Sequence, residues 1–151
     1  MKNNLSNVVS MNSGDIKYTC KLVLRGPDGR IKARRVIHNT VTTAGKAGAA
    51  DQVLASPSLN KPTHMAIGTG TPSGTALGTE LDRNALTSKT RSGAVVTMVG
   101  DWAAADGTGA ITEAGVFDAS SVGNMWLSQT FSVVNKGAAD TLSISWTLTF
   151  A

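Results

Sequence analysis

TLSISWTLTF, Thr141 to Phe150, alternates without a break: Leu142, Ile144, Trp146, Leu148 and Phe150 stand on one parity, Ser143, Ser145, Thr147 and Thr149 on the other. Successive side chains of a strand point to opposite faces, so a period of two marks a strand with one face buried. Burying five such side chains contributes on the order of 10 kcal/mol before entropy, at about 1.5–3 kcal/mol each. The segment is expected to be an integral core strand rather than a frayed tail.

Upstream of it, SGAVVTMVGDW (92–102), AITEAGVFDA (110–119) and NMWLSQTFSVV (124–134) are also rich in strand formers, and ADGTG, SSVG and NKGAAD separate the runs. With the last strand they predict four strands in meander order, with Ile144, Trp146, Leu148 and Phe117 in one core. Near the other end, Ile16, Tyr18, Cys20, Leu22 and Leu24 share a parity, Arg25-Gly26-Pro27-Asp28-Gly29-Arg30 supplies turn chemistry, and a second extended run covers Ile31 to His38. This reads as a basic β-hairpin at 16–38, with Ile31 and Val36 helping to fix it.

Between hairpin and meander the pattern is mixed. Thr42 or Thr43 can cap a helix with the body AGKAGAADQVLA, weakened by two glycines and stopped at Pro57. THMAIG reads as a short strand, and GTGTPSGTALG as a loop. Thr79 to Leu86 predicts two helical turns capped by Thr79, with Glu80 near the positive end and Leu81 and Leu86 turned inward. The expected fold is mainly β, a β-sandwich of about seven strands with an N-terminal hairpin and one or two short helices.

A chain of 151 residues with 41% hydrophobic residues suits one domain, here 16–151, preceded by a flexible polar arm at 1–15 that is ordered only against another subunit. A single cysteine, Cys20, rules out an intramolecular disulfide framework. The first residues carry no apolar run of signal-peptide length, and no segment approaches a membrane span, so neither secretion nor membrane insertion is expected.

The residues that could carry chemistry are badly placed for it. The loop Gly68 to Gly74 follows a strand, but no Lys-Ser or Lys-Thr pair follows, and Glu80 and Asp82 would repel an anion. His38, His64 and Cys20 lack metal-ligand spacing, and no serine lies in a nucleophile elbow. Glu80 with Asp82, and Glu113 with Asp118, read as caps and turns. No catalytic, cofactor or metal residue is nominated, and the chain is expected not to be an enzyme.

Charge is the stronger signal. The first 50 residues hold nine Lys or Arg against two acids, whereas the remainder holds five against eight. Arg25, Arg30, Lys32, Arg34 and Arg35 crowd around the hairpin turn and are the candidate partner interface, with Arg30, Lys32 and Arg34 expected on a common side. Such a patch reads either as a merely solvated face or as an interface for an acidic protein surface. Nucleic acid is the remote alternative, because only Tyr18 accompanies the cations as a stacking aromatic.

The strings VTTAGKAGAADQVL (41–54), KPTHMAIGTGTPSGTALGTELDRNALTS (61–88) and ITEAGVFDASSVGNMWLSQTF (111–131) resemble, in the same order, the N-terminal docking domain of tail-collar fibre proteins of tailed bacteriophages. The matching parts are the Ala/Gly helix, the Thr-His-Met-Ala strand, the glycine-rich loop, Glu80 with Arg83, and the strand Ile111 to Ala119. The chain also looks like small free-standing phage structural proteins that open with a hairpin and a His-Asn-x-Val-Thr segment, as in His38 to Thr42. Collar fibres continue into a shaft and a receptor-binding tip, whereas this sequence stops at Ala151 after its last core strand, so the docking domain alone is expected.

The resemblance implies a non-enzymatic virion protein, assembled in the host bacterial cytoplasm without a cofactor. The self-contained chain with its basic hairpin and polar arm, which could reach across neighbouring acidic shell subunits, reads first as a capsid decoration or cement protein acting as a small homo-oligomer on the major capsid protein. The alternative is an adaptor at the tail, baseplate or fibre collar, contacting tail or baseplate subunits.

Overall fold

The computed structural model describes residues 16–150. Among them are nine strands and one helix: β1 (Lys17–Arg25), β2 (Ile31–Thr40), α1 (Thr43–Asp51), β3 (His64–Gly68), β4 (Glu80–Ala85), β5 (Ser88–Ser92), β6 (Val95–Trp102), β7 (Gly109–Phe117), β8 (Met125–Lys136) and β9 (Thr141–Thr149). They form two antiparallel sheets, one in the order β2-β1-β9-β6-β5 and the other β4-β3-β7-β8. This is the expected β-sandwich, with two more strands than the sequence suggested. The arm expected at 1–15 lies outside the described residues.

The alternation of β9 does what it promised, because Leu142, Ile144, Trp146 and Leu148 are all buried. Beside them β1 turns in Tyr18, Cys20, Leu22 and Leu24, each directly opposite its β9 counterpart. The facing sheet contributes Met65, Ile67, Ile111, Ala114, Val116, Trp126, Leu127 and Val134 to the same core. Tyr18 meets the Trp146 ring edge-on at 5.4 Å between centroids, and its hydroxyl donates to the Ser128 carbonyl at 2.5 Å, tying the sheets together. Phe150 departs from the expectation: it lies past the end of β9 and is 42% exposed.

The four last strands are not a meander. β7 and β8 pair as a hairpin in the second sheet, while β6 and β9 pair with each other in the first, so the chain crosses between sheets twice. Phe117 accordingly leaves the main core and packs with Ala66, Leu77 and Met125 on the far face of the second sheet. β3 and β7 are covered on both faces, which explains why MAIG (65–68) and the end of β7 are buried continuously rather than alternately.

Where two helical turns were expected over 79–86, Glu80–Ala85 is a strand. Met65 of β3 pairs with Asn84 and Ala66 with Arg83, and the inward turn expected of Leu81 fails, since that side chain is 39% exposed. Tertiary pairing overrides a weak local helix preference. The adjoining β5, SKTRS, was not expected because its residues are all exposed; it is an edge strand held by β6.

The helix starts as read, with Thr42 Oγ1 accepting from Gly45 N at 3.0 Å, but it ends at Asp51, well before Pro57. The Asp51 carboxylate folds over to accept from Ser58 Oγ and Leu59 N. Both helix glycines are buried against Trp126, where a Cβ would overlap its carbonyl oxygen at Gly45 and its ring at Gly48. Their cost in helix propensity is the condition for close packing on β8.

Candidate interaction surface

The β1–β2 hairpin closes through Gly26 N to Arg30 O and Gly29 N to Gly26 O, both 2.9 Å, with Gly29 at a φ of 77°. That turn brings the five nominated cations to one edge of the molecule, but it does not give them one role. Lys32 Nζ is 2.7 Å from Asp140 Oδ2, an oxygen that also accepts from Gly137 N, so Lys32 ties the hairpin to the β8–β9 turn. The Lys32 contact, then the Gly137 N–H, hold the Asp140 carboxyl below its ordinary range. Arg35 lies opposite Leu22 on the inward parity and reaches across to the second sheet, donating to the carbonyls of Ser132 at 3.3 Å and Val133 at 3.1 Å. Both are internal braces.

Three of the five stay available. Arg25 donates to Gly29 O within its own turn, and Arg30, almost fully exposed, is 3.7 Å from Asp28 Oδ2. The Arg34 side chain points outward opposite Val23 and makes no hydrogen bond or ion pair among the described residues. The common side expected for Arg30, Lys32 and Arg34 is therefore broken by Asp140, which sequence could not connect to Lys32 because it lies 108 positions away. Ile31 and Val36, expected to fix the hairpin, are 52% and 47% exposed and do not.

The strand register adds a cation that was not nominated. Lys21 is on the outward parity of β1, opposite Val36 on one side and Ser145 on the other, and Val23 is likewise opposite Ser143. A shallow depression of about 310 Å³ is lined by Lys21, Val23, Arg25, Ser143 and Ser145. The outer face of this sheet is thus a floor of small Ser and Thr side chains with Lys21, Arg25 and Arg34 along one side, and Asp101, opposite Ser143, as an acid on the same parity. The signal that could have found Lys21 was the alternation of β1 itself.

The buried charges are spent on holding loops. Glu113, fully buried, accepts through Oε1 from Gly70 N at 2.9 Å and Thr79 N at 2.8 Å, and through Oε2 from Gly78 N at 2.8 Å. The glycine-rich loop therefore wraps a carboxylate of its own chain instead of a phosphate. Asp118 takes Asn124 N at 2.7 Å and Asn124 Nδ2 at 2.9 Å. Lys136 donates to the Ala103 carbonyl at 2.9 Å. Asp118 has the turn role expected of it, whereas Glu113, read as a cap or turn residue, is a buried strand residue that holds a distant loop.

His38 Nδ1 is 3.0 Å from Thr19 Oγ1, His64 Nδ1 is 2.8 Å from Thr63 Oγ1, and Cys20 is enclosed, its thiol pushed up by burial to about 12. Such a thiol is inert at neutral pH. Among the described residues no helix is long and apolar enough to cross a membrane. No family model, curated protein or solved structure matches the chain.

Proposed function

We propose that this chain is a non-enzymatic structural protein of a tailed-phage virion, decorating or cementing the capsid as a small homo-oligomer through the cationic outer face of its five-stranded sheet. The observation that carries the reading is the contrast in how charges are used. Lys32, Arg35, Glu113, Asp118 and Asp140 are consumed inside the fold, while the side chains of Lys21, Arg25 and Arg34 flank a Ser/Thr floor without an ion pair among the described residues, Asp101 being an acid on the same face. A sheet face carrying cations suits an acidic neighbour repeated over a lattice, where pairs worth only about 0.2–1 kcal/mol each act in large numbers.

An adaptor at the tail or baseplate is the second reading, favoured by the collar-like segments 41–54, 61–88 and 111–131. Nucleic acid is disfavoured, because Tyr18, the aromatic beside the cations, is only 2% exposed and turned into the core, away from any base.

Copy number separates the two virion readings: a stained gel of purified particles should show hundreds of copies for decoration and at most a few dozen for an adaptor. The face itself is tested by K21E/R25E/R34E, which spares the braces Lys32 and Arg35. The triple variant should fold normally yet dissociate from particles at lower ionic strength than the wild type. Full occupancy across the salt series would refute the assignment of this face.

A further inference from the structure

A second surface feature lies away from the cationic face, between the two sheets beside α1. Met98 and Leu148 from one sheet and Trp126 and Leu127 from the other form the floor of an apolar groove of about 230 Å³, with half-exposed Phe150 at its lip. Its polar rim is lysine: Lys61, and Lys89, whose Nζ donates to the Pro62 carbonyl at 2.7 Å. Among the described residues no acid lines the groove. Asp51, beside the lining residue Gln52, has one oxygen on Ser58 Oγ and the other on Leu59 N. Desolvation, and then repulsion from Lys61, hold the Lys89 ammonium below its ordinary pKa, so the two lysines are close enough to sense one another at the rim.

An apolar cavity with two cations at its mouth is complementary to an apolar group that has a carboxylate beside it. The volume decides what bears that group. Sites that enclose a whole drug-sized ligand run to about 300–1,000 Å³, whereas this groove suits one large side chain. We propose that the groove is the anchor pocket for a partner polypeptide, taking one large apolar side chain onto Trp126 and Met98 and pairing an adjacent carboxylate with Lys61 and Lys89. A central aromatic-lined pocket ringed by polar groups is the usual form of an interface hot spot. The inference concerns a different face from the cationic sheet and is independent of the virion reading.

The test is an amide and indole chemical-shift titration of the whole chain with three probes: N-acetylphenylalanine, N-acetylphenylalanine amide and octanoate. The acid should shift Met98, Trp126 and Leu148 saturably and bind at least about fivefold more tightly than the amide, the loss expected for one exposed ion pair. K61Q/K89Q, with K61Q alone as a milder variant, should bring acid and amide to equal affinity, and Ala49→Leu should fill the groove and abolish both. Shifts elsewhere only, or equal affinity of acid and amide for the wild type, would overturn the proposal. Octanoate binding tenfold more tightly than N-acetylphenylalanine would also overturn it, by assigning the groove to a lipid carboxylate.

Discussion

Arg83 lies over the ring of Phe117, its guanidinium carbon 3.7 Å from the ring centroid. The same group makes a bidentate pair with Glu80, at 2.9 and 2.6 Å, and donates to the carbonyls of Ala119 and Val122, both at 2.9 Å. One side chain therefore fastens β4 to the outer core and to the 118–124 turn.

Arg83→Ala is expected to lower stability by about 2–3 kcal/mol, combining a partly desolvated cation–π contact with hydrogen bonds to a charged group. Arg83→Lys should recover less than half, since an ammonium cannot reproduce the planar fork. Urea denaturation of both variants checks this, and a lysine variant as stable as the wild type would contradict it.

Glu113→Gln replaces one acceptor oxygen by a donor facing a backbone N–H. The expected cost is about 1.5–3 kcal/mol, and it should be local before it is global. Amide exchange at Gly70, Gly78 and Thr79 should accelerate more than exchange in β9. Uniform acceleration along the chain would show that the carboxylate does not specifically hold the loop.

Gly48→Ala sets helix propensity against packing. Alanine is better in a helix by about 1 kcal/mol, but its Cβ would overlap the Trp126 ring, and overpacking of this kind costs about 1–3 kcal/mol. A net loss of thermal stability is expected, with a shift of Trp126 fluorescence. A raised melting temperature would mean that α1 moves off β8 without penalty.

Lys32 and Asp140 give stability a defined pH dependence. Because folding lowers the Asp140 pKa, its contribution is complete above the unfolded value near 3.9 and fades as pH falls through the lower folded value. Wild type and Asp140→Asn should differ in urea midpoint at neutral pH and converge in acid below the carboxylate range. A pH-independent difference would place the effect in packing instead of the ion pair.

How far the sequence speaks depends on whether a residue's partner is local. Leu142 to Leu148 declare a buried face because the burial period belongs to the strand itself. Glu80 to Ala85 mislead because Thr79, Glu80 and Leu86 imitate a capped helix, while their real determinants, β3 and Phe117, are distant in the chain. The weak glycine-broken helix was legible as a helix, but the reason for its glycines was Trp126, almost eighty positions on. The basic cluster was legible as charge and not as surface, since Asp140, Ser132 and Val133, all about a hundred residues downstream, decide which cations remain free.

β9 sits between β1 and β6, with Lys17 and Val95 both opposite Thr149. During synthesis β1 therefore waits for a neighbour made more than a hundred residues later, which at about 5–20 residues per second is a delay on the order of 10 s. Until then Leu22, Leu24 and Met98 lack the wall that Ile144 and Trp146 complete, and one long edge of the hairpin stays unpaired. Closure of this sheet is expected to come late in folding, because its pairings are distant in the chain. A chain cut short before Thr141 would offer its neighbours open strand edges, a route to aggregation that the finished sheet removes.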